Sequence, residues 1–344
     1  MKLDIQALKE ASEKLQQEQP KLRTLSIAQA LGVKERDMLA AECCGIQSTY
    51  LGEDYKAVFK RLELLDEVMA LTRNPWCVHE RHGRYEAIGI GGAAPHGIVL
   101  GPDIDLRLFF KNWGTVWFVE QESRKSLQFF NRQGVAIHKV YMTEKSNQAE
   151  LQRIVEEYKQ DKALVPTLED EAPEPEYKSV PAGFREEWLA LKDTHDFFPL
   201  LAKHSIKRIE ALAAAGEDLA QQIPVEAIET MLEKSVEQEL PIMCFVGNKN
   251  MVQIHGGTIH KLLRTGPWFN VLDPKFNLHL NTEALDSVWV VNKPTEDGYV
   301  TSIEAYTENG EIVVQFFGLR KPGIPEIKEW RLLLESLCKT PLAA

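Results

Sequence analysis

The stretches Gly101–Glu120, GPDIDLRLFFKNWGTVWFVE, and Asp273–Asn292, DPKFNLHLNTEALDSVWVVN, decide the fold, because they are one pattern written twice. Pro102 answers Pro274, Leu106 answers Leu278 and Trp117 answers Trp289, all at a shift of 172. Further on, SLQFFNRQG (126–134) answers SIEAYTENG (302–310), with Gly134 against Gly310. The shift there is 176, so the second copy carries four extra residues, placed in the loop NKPTEDGYV (292–300). A period this long means a duplicated domain, not a solenoid.

Outward from these stretches the texture alternates. Residues 1–68 read as helices, with Val58, Leu62 and Leu65 at helical spacing. From about 69 to 142, short β-branched or aromatic runs bounded by Gly, Pro or Asn read as antiparallel strands, and 146–160 returns to helix. Pro166, Pro173, Pro175 and Pro181 stand in an acidic run over 161–182, a linker by composition. Helices (185–238), strands (241–320) and a terminal helix (325–338) follow. The predicted fold is α+β: two tandem structural repeats, each a large antiparallel β-sheet with flanking helices. The N-terminal repeat spans 1–160 and the C-terminal repeat 183–344.

The chain has 344 residues, 44% hydrophobic and 26% charged, an ordinary globular composition. Its formal net charge of -11 repels phosphate backbones and anionic lipids, so nucleic-acid and membrane-surface binding are disfavoured. The five cysteines are odd in number and follow no zinc, redox or C-x-x-C-H pattern, and read as reduced thiols. The opening MKLDIQALKEASEKLQQEQPKL lacks the apolar core of a signal peptide, and no apolar run of about 18 residues occurs. A cytoplasmic protein with no membrane insertion is the expectation.

His195 is the first candidate. Trp188, Leu191, His195, Phe198 and Ala202 share one stripe of an expected helix, which suits either a core histidine or a metal ligand in an aromatic pocket. Phe197 and Phe198 could pack on a flat porphyrin, and a neutral imidazole is the usual proximal ligand of heme iron. Arg107 is the second. Leu106 and Leu108 should point away from it, leaving Arg107 on a face with Asp105 and Phe109, either paired to Asp105 in solvent or set at a ligand. The third is a dispersed basic set, Arg208, Lys293 and Arg320: solvated cations, or a converging clasp for a dianionic ligand such as heme.

Weaker signals carry bland readings. His79 and His82, placed in a short segment between strands, lack a third ligand nearby, and His255 and His260 are no better as a metal site. AIGIGGAA (87–94) marks a turn, since Pro95 blocks the helix that a dinucleotide loop needs. LSIAQALGVKERDMLAA (25–41) suits a helical hairpin turning at Gly32, and its Glu35, Asp37 and Glu42 suit DNA poorly.

A set of motifs in fixed order carries more. ALGV (30–33), TRN (72–74), VHERHGRYE (78–86), DLRLF (105–109), DTHDFFPLL (193–201), FVGN (245–248), VQI (252–254), NKPTEDGYVTS (292–302) and QFFGLR (315–320) span nearly the whole chain. In these the chain resembles the bacterial cytoplasmic hemin-degrading and hemin-transport proteins of the HemS/ChuS/HmuS type. The resemblance implies paired repeats holding heme b non-covalently as substrate or cargo. It places the axial ligand to the heme iron at His195 and a distal arginine at Arg107, with Phe109 beside the ring. The remaining pocket positions fall on Phe198, Arg208, Lys293, Gln315, Phe317 and Arg320; a relative has tyrosine where Phe317 stands. Extra histidines flank the ligand in some relatives, whereas Thr194 and Asp196 flank His195. Arg107 faces His279 in the repeat alignment, and His195 has no counterpart in the first half, so one heme site is expected rather than two. The implied activity is oxidative ring opening that releases iron, with an external electron donor. The alternative is a carrier that takes heme from an inner-membrane importer to a separate heme oxygenase. A monomer or homodimer is expected.

Overall fold

The computed structural model describes residues 4–321 and 323–344. The first three residues of the expected N-terminal helices lie outside them. No helix among the described residues is long and apolar enough to cross a membrane.

The described residues form eighteen strands. In the N-terminal half they are β1 (Gln47–Tyr50), β2 (Asp66–Arg73), β3 (Cys77–Gly83), β4 (Ile88–Ile90), β5 (His96–Leu100), β6 (Asp105–Phe109), β7 (Trp113–Gln121), β8 (Arg124–Asn131) and β9 (Ala136–Ser146). In the C-terminal half they are β10 (Ala220–Ile223), β11 (Ile242–Asn248), β12 (Met251–Gly257), β13 (Leu262–Thr265), β14 (Trp268–Leu272), β15 (Phe276–Asn281), β16 (Ser287–Thr295), β17 (Gly298–Tyr306) and β18 (Ile312–Gly318). The helices are α1 (Ile5–Glu18), α2 (Thr24–Ala30), α3 (Glu35–Ala40), α4 (Tyr55–Lys60), α5 (Gln148–Tyr158), α6 (Phe184–Leu189), α7 (Phe197–His204), α8 (Arg208–Ala215), α9 (Ala227–Glu237) and α10 (Lys328–Glu335).

The chain divides into two compact units. The first takes residues up to 73, 80–172 and 248–253; the second takes 74–79, 173–247 and 254–344. Each holds one antiparallel run of five strands and one of three. They are β1-β7-β8-β9-β2 and β6-β5-β4 in the first, β10-β16-β17-β18-β11 and β15-β14-β13 in the second. The two orders match strand for strand, and the repeat seen in the residues is the reason. Trp117 stands opposite Gln128 and Trp289 opposite Glu304. Leu106 and Leu278 are both fully buried. Gly134 and Gly310 both sit at positive φ, +77° and +75°, in the turn after the matched strand. There glycine avoids the strain that a Cβ would bring.

In the second unit the five-stranded run is buried on both faces. Val288, Val290, Ile303 and Ala305 pack with Ile228, Met231 and Leu232 of α9 and with Trp330 and Leu334 of α10. Trp289, Val291 and Tyr306, one residue out of step, pack with Phe184 and Trp188 of α6, Leu200 and Leu201 of α7, and Ala211 and Leu212 of α8. The period of two along each strand thus feeds two helical layers at once. In the middle of β16 and β17 this burial takes water away from polar side chains such as Glu304 and Lys293, so an unpaired charge there is costly.

Several expectations need correction. The helical reading of 1–68 contains strand β1 and the start of β2, and that of 185–238 contains β10. β1 and β10 are only four residues long, too short to show alternation. His79 and His82 lie on β3 itself, not between strands. The ring of His79 stands 4.9 Å from Phe276, whose other neighbour His255 stacks on it at 3.8 Å. The acidic Pro-rich segment is held to the first unit along its start: Arg36 Nη1 donates to the Pro166 carbonyl at 2.8 Å, and Lys34 pairs with Glu171 at 3.2 Å. All five cysteines are free thiols, four of them buried.

Replacing Gly134 or Gly310 by Ala is expected to cost each repeat about 1–2 kcal/mol, from positive φ and from the new methyl. That methyl would meet Leu168 at 2.8 Å in the first unit and Ile209 at 2.9 Å in the second. Urea unfolding midpoints measure this, and an unchanged midpoint for both would contradict it.

Candidate functional site

The α6–α8 face of the second unit holds a buried cluster of charged side chains. Its centre is Glu304, fully buried on β17. Arg208, in the first turn of α8, donates from Nε to Glu304 Oε2 at 3.0 Å and from Nη2 to Oε1 at 2.8 Å. Lys293 on β16 donates to Oε1 at 3.1 Å, as does the Ser302 hydroxyl at 2.8 Å. Tyr306 donates its hydroxyl to Oε2 and accepts from Arg208 Nε at 2.8 Å. Two cations therefore share one carboxylate, leaving an excess positive charge at low dielectric. Burial alone would raise the Glu304 pKa, but Arg208 and Lys293 outweigh it and hold the carboxyl well below its ordinary range. Burial and the neighbouring Arg208 pull Lys293 down to about 8, against the support of Glu304. Arg208 Nη1 is buried and has no hydrogen-bond partner among the described residues.

Aromatic rings join this cluster to the surface. The Arg208 guanidinium lies 4.8 Å from the Phe197 ring and 5.2 Å from Phe198, and the Lys293 ammonium lies 5.1 Å from Phe197. Phe197 is buried, 4.5 Å from Trp188, whose Nε1 donates to the Asn292 carbonyl at 3.1 Å. Phe198 is 60% exposed, an unusual state for a phenylalanine beside a buried charge. Gln315 and Phe317 lie half-buried on β18, while Val314 and Phe316 between and before them are buried. Gln315 stands opposite Glu304, and Phe317 packs on Phe245 at 5.0 Å.

His195 does not belong to a continuous helix. α6 ends at Leu189, a 3₁₀ turn covers Thr194–Asp196, and α7 begins at Phe197. Asp193 and Asp196 cap that turn reciprocally, and Pro199 falls in the first turn of α7, where its missing N–H costs nothing. The break removes His195 from the stripe of Trp188, and its side chain is 84% exposed. The core-histidine reading is thereby overturned. Asp193 Oδ1 accepts the His195 backbone N–H at 2.8 Å and contacts Nδ1 at 2.5 Å. The hydrogen bond from the His195 backbone, with help from its ring and from Arg320, lowers the Asp193 pKa. Arg320 itself leans on Asp297 at 3.6 Å.

Of the basic set, Arg208 and Lys293 are brought together, and neither is solvated. Arg320 stands apart from their carboxylate, with Asp297. In the first unit Arg107 pairs with Asp105 on β6, Phe109 is exposed, and Leu106 and Leu108 are buried on the other face. Glu304 and Tyr306, which organise the cluster, escaped the sequence reading. Their signal was the alternation Ser302, Glu304, Tyr306 against Ile303 and Ala305. The reading also missed the new helix start, although D-T-H-D with Pro199 is a capping-box pattern.

The residues present suit an anionic porphyrin. An exposed aromatic ring borders a buried cation surplus, one guanidinium nitrogen is unpartnered, and an imidazole is held by Nδ1.

Comparison with known proteins identifies the family. Residues 32–158 and 205–337 match the domain family described as the haemin-degrading HemS.ChuX domain. The hemin transport protein HmuS of Yersinia pestis is 35% identical over 336 residues, covering 95% of this chain and 96% of that protein. The chain belongs to this family. Among solved structures, the heme-binding protein PhuS of Pseudomonas aeruginosa is similar with a TM-score of 0.93 at 40% identity, covering 97% of this chain and 99% of that one. ChuS, described as an E. coli heme oxygenase, is similar with a TM-score of 0.87 at 30% identity, covering 96% and 99%. The family match falls on both repeats and omits residues 159–204, where His195 lies.

Glu304→Gln strands two buried cations and is expected to cost roughly 3–5 kcal/mol in urea denaturation. Lys293→Met leaves one cation per carboxylate and should cost less than about 1.5 kcal/mol or stabilise the fold. The signs with pH differ. The Glu304 contribution is complete above the ordinary carboxylate range and fades as pH falls below it. The Lys293 penalty is complete below about pH 8 and is relieved as pH rises from there toward 10.5. A Glu304→Gln variant as stable as wild type would contradict this account of the cluster.

Proposed function

We propose that the chain binds heme on the α7–α8 side of the second unit, with His195 as the axial ligand of the iron. The observation that carries this reading is the surplus buried cation beside an exposed aromatic ring. A ligand that is flat, apolar and dianionic meets all of it at once: Phe198 offers a face, and Arg208 and Lys293 offer charge to the carboxylates. Gln315 and Arg320 add polar contacts, and Phe317 adds an apolar one in place of a relative's tyrosine. The resemblance assigns Phe109 a place beside the ring. HmuS, PhuS and ChuS carry names for hemin transport, heme binding and heme oxygenase activity respectively.

The bound heme is read as substrate. Heme itself supplies the oxygen-activating iron and the carbon that is oxidised. His195 holds the iron on one side, and the basic residues fix the orientation of the ring. Arg107 supplies a permanent cation for the negative charge that develops during oxygen chemistry. Electrons come from an external donor, since the sequence carries no flavin or nicotinamide motif. A cytoplasmic location fits that role. Carriage to a separate oxygenase is the second reading. It is favoured by the transport names of the Yersinia relatives and by the Asp105 partner that already occupies Arg107.

In titrations with hemin, His195→Ala is expected to shift or abolish the Soret band. Arg107→Ala should keep heme bound and slow product formation by roughly 10²–10³-fold. Mass spectrometry after hemin and reductant are added to the pure protein should find an open-chain tetrapyrrole. Intact heme passing quantitatively to an added oxygenase would instead establish the carrier. An unchanged Soret band and affinity in His195→Ala would end the ligand assignment.

A further inference from the structure

Asp193 meets His195 twice with one oxygen. Oδ1 takes the backbone N–H at 2.8 Å and lies 2.5 Å from ring Nδ1. The Asp193 backbone N–H donates to Asp196 Oδ2 at 3.2 Å, which closes the turn from the other side. Phe197, the next residue but one after His195, is buried and ties the turn to the α6 core. A cap needs only the backbone contact; the contact to the ring is additional. An ionised carboxylate has no proton to give, so in the neutral ring Nδ1 must carry the proton and Nε2 the outward lone pair. Backbone and ring together also restrict the side-chain torsions that would let an exposed histidine wander.

We infer that Asp193 is a positioning residue for His195: it fixes the Nδ1–H tautomer in the ligand-free protein and makes Nε2 a stronger electron donor toward iron. A carboxylate on the far side of a ligating imidazole draws its proton and raises its basicity. The stronger donor favours the ferric state. The effect on iron rests on the heme reading above, whereas the tautomer does not.

Two variants separate charge from contact. Asp193→Asn keeps an acceptor for both hydrogen bonds and removes the charge; Asp193→Ala removes the contacts. In ligand-free protein in alkaline buffer, ¹⁵N NMR of His195 should show the proton on Nδ1, and Asp193→Ala should move it to Nε2. In hemin-loaded protein, Asp193→Asn should lower the ferrous iron–imidazole stretching frequency in resonance Raman spectra and shift the ferric/ferrous midpoint potential to more positive values. A wild-type ring protonated on Nε2 overturns the inference. So does an Ala variant with the same tautomer, or an Asn variant with the same stretching frequency. The NMR comparison uses no heme, so it passes or fails independently of whether His195→Ala alters the Soret band.

Discussion

The second unit is organised around one carboxylate that holds two cations away from water. Glu304 could not be buried alone, and neither could Arg208 or Lys293. Together they form a network in which Ser302 and Tyr306 complete the hydrogen bonding of the carboxylate. The network is not neutral. Its surplus charge lies beneath Phe197, beside an exposed Phe198, and has no counter-ion within the cluster. A protein of net charge -11 thus keeps a local positive centre next to an exposed aromatic ring.

That centre depends on the layering of the fold. The β16–β18 strands are covered on both faces, so charged side chains on them feel low dielectric, where each pairing is stronger and each omission more costly. The helices on this face are short and separate, and the capped 3₁₀ turn ahead of α7 aims one side chain. The break before Thr194 turns His195 outward while Phe197 stays in the core. One uninterrupted helix through the same residues would have placed the imidazole on the stripe of Trp188.

Much of this was legible from the residues. The paired prolines, leucines, tryptophans and glycines of the two copies predicted the duplication, because the strands and turns that require them recur. The leucines flanking Arg107 predicted which way that side chain points, and its Asp105 partner was one of the two readings weighed. Short strands were not legible: four residues at 47–50 and at 220–223 are set by pairing with β7 and β16, which local pattern does not encode. Nor was Glu304, since a glutamate on a strand ordinarily marks solvent. Only the tertiary covering by α6–α8 converts it into the centre of a site. For the same reason the residue pattern left Arg208 and Lys293 open between solvated cations and a converging pair, and only the resemblance placed them in a pocket.

The most direct test compares two ligands on the unaltered protein: a metalloporphyrin with free carboxylates and the same molecule as its dimethyl ester. Ring, metal and shape are equal, and only the anionic groups differ. If the surplus charge held by Glu304 recognises those groups, the free acid binds at least tenfold more tightly than the diester, and the difference narrows in Lys293→Met. Equal affinities for the two would contradict the central claim.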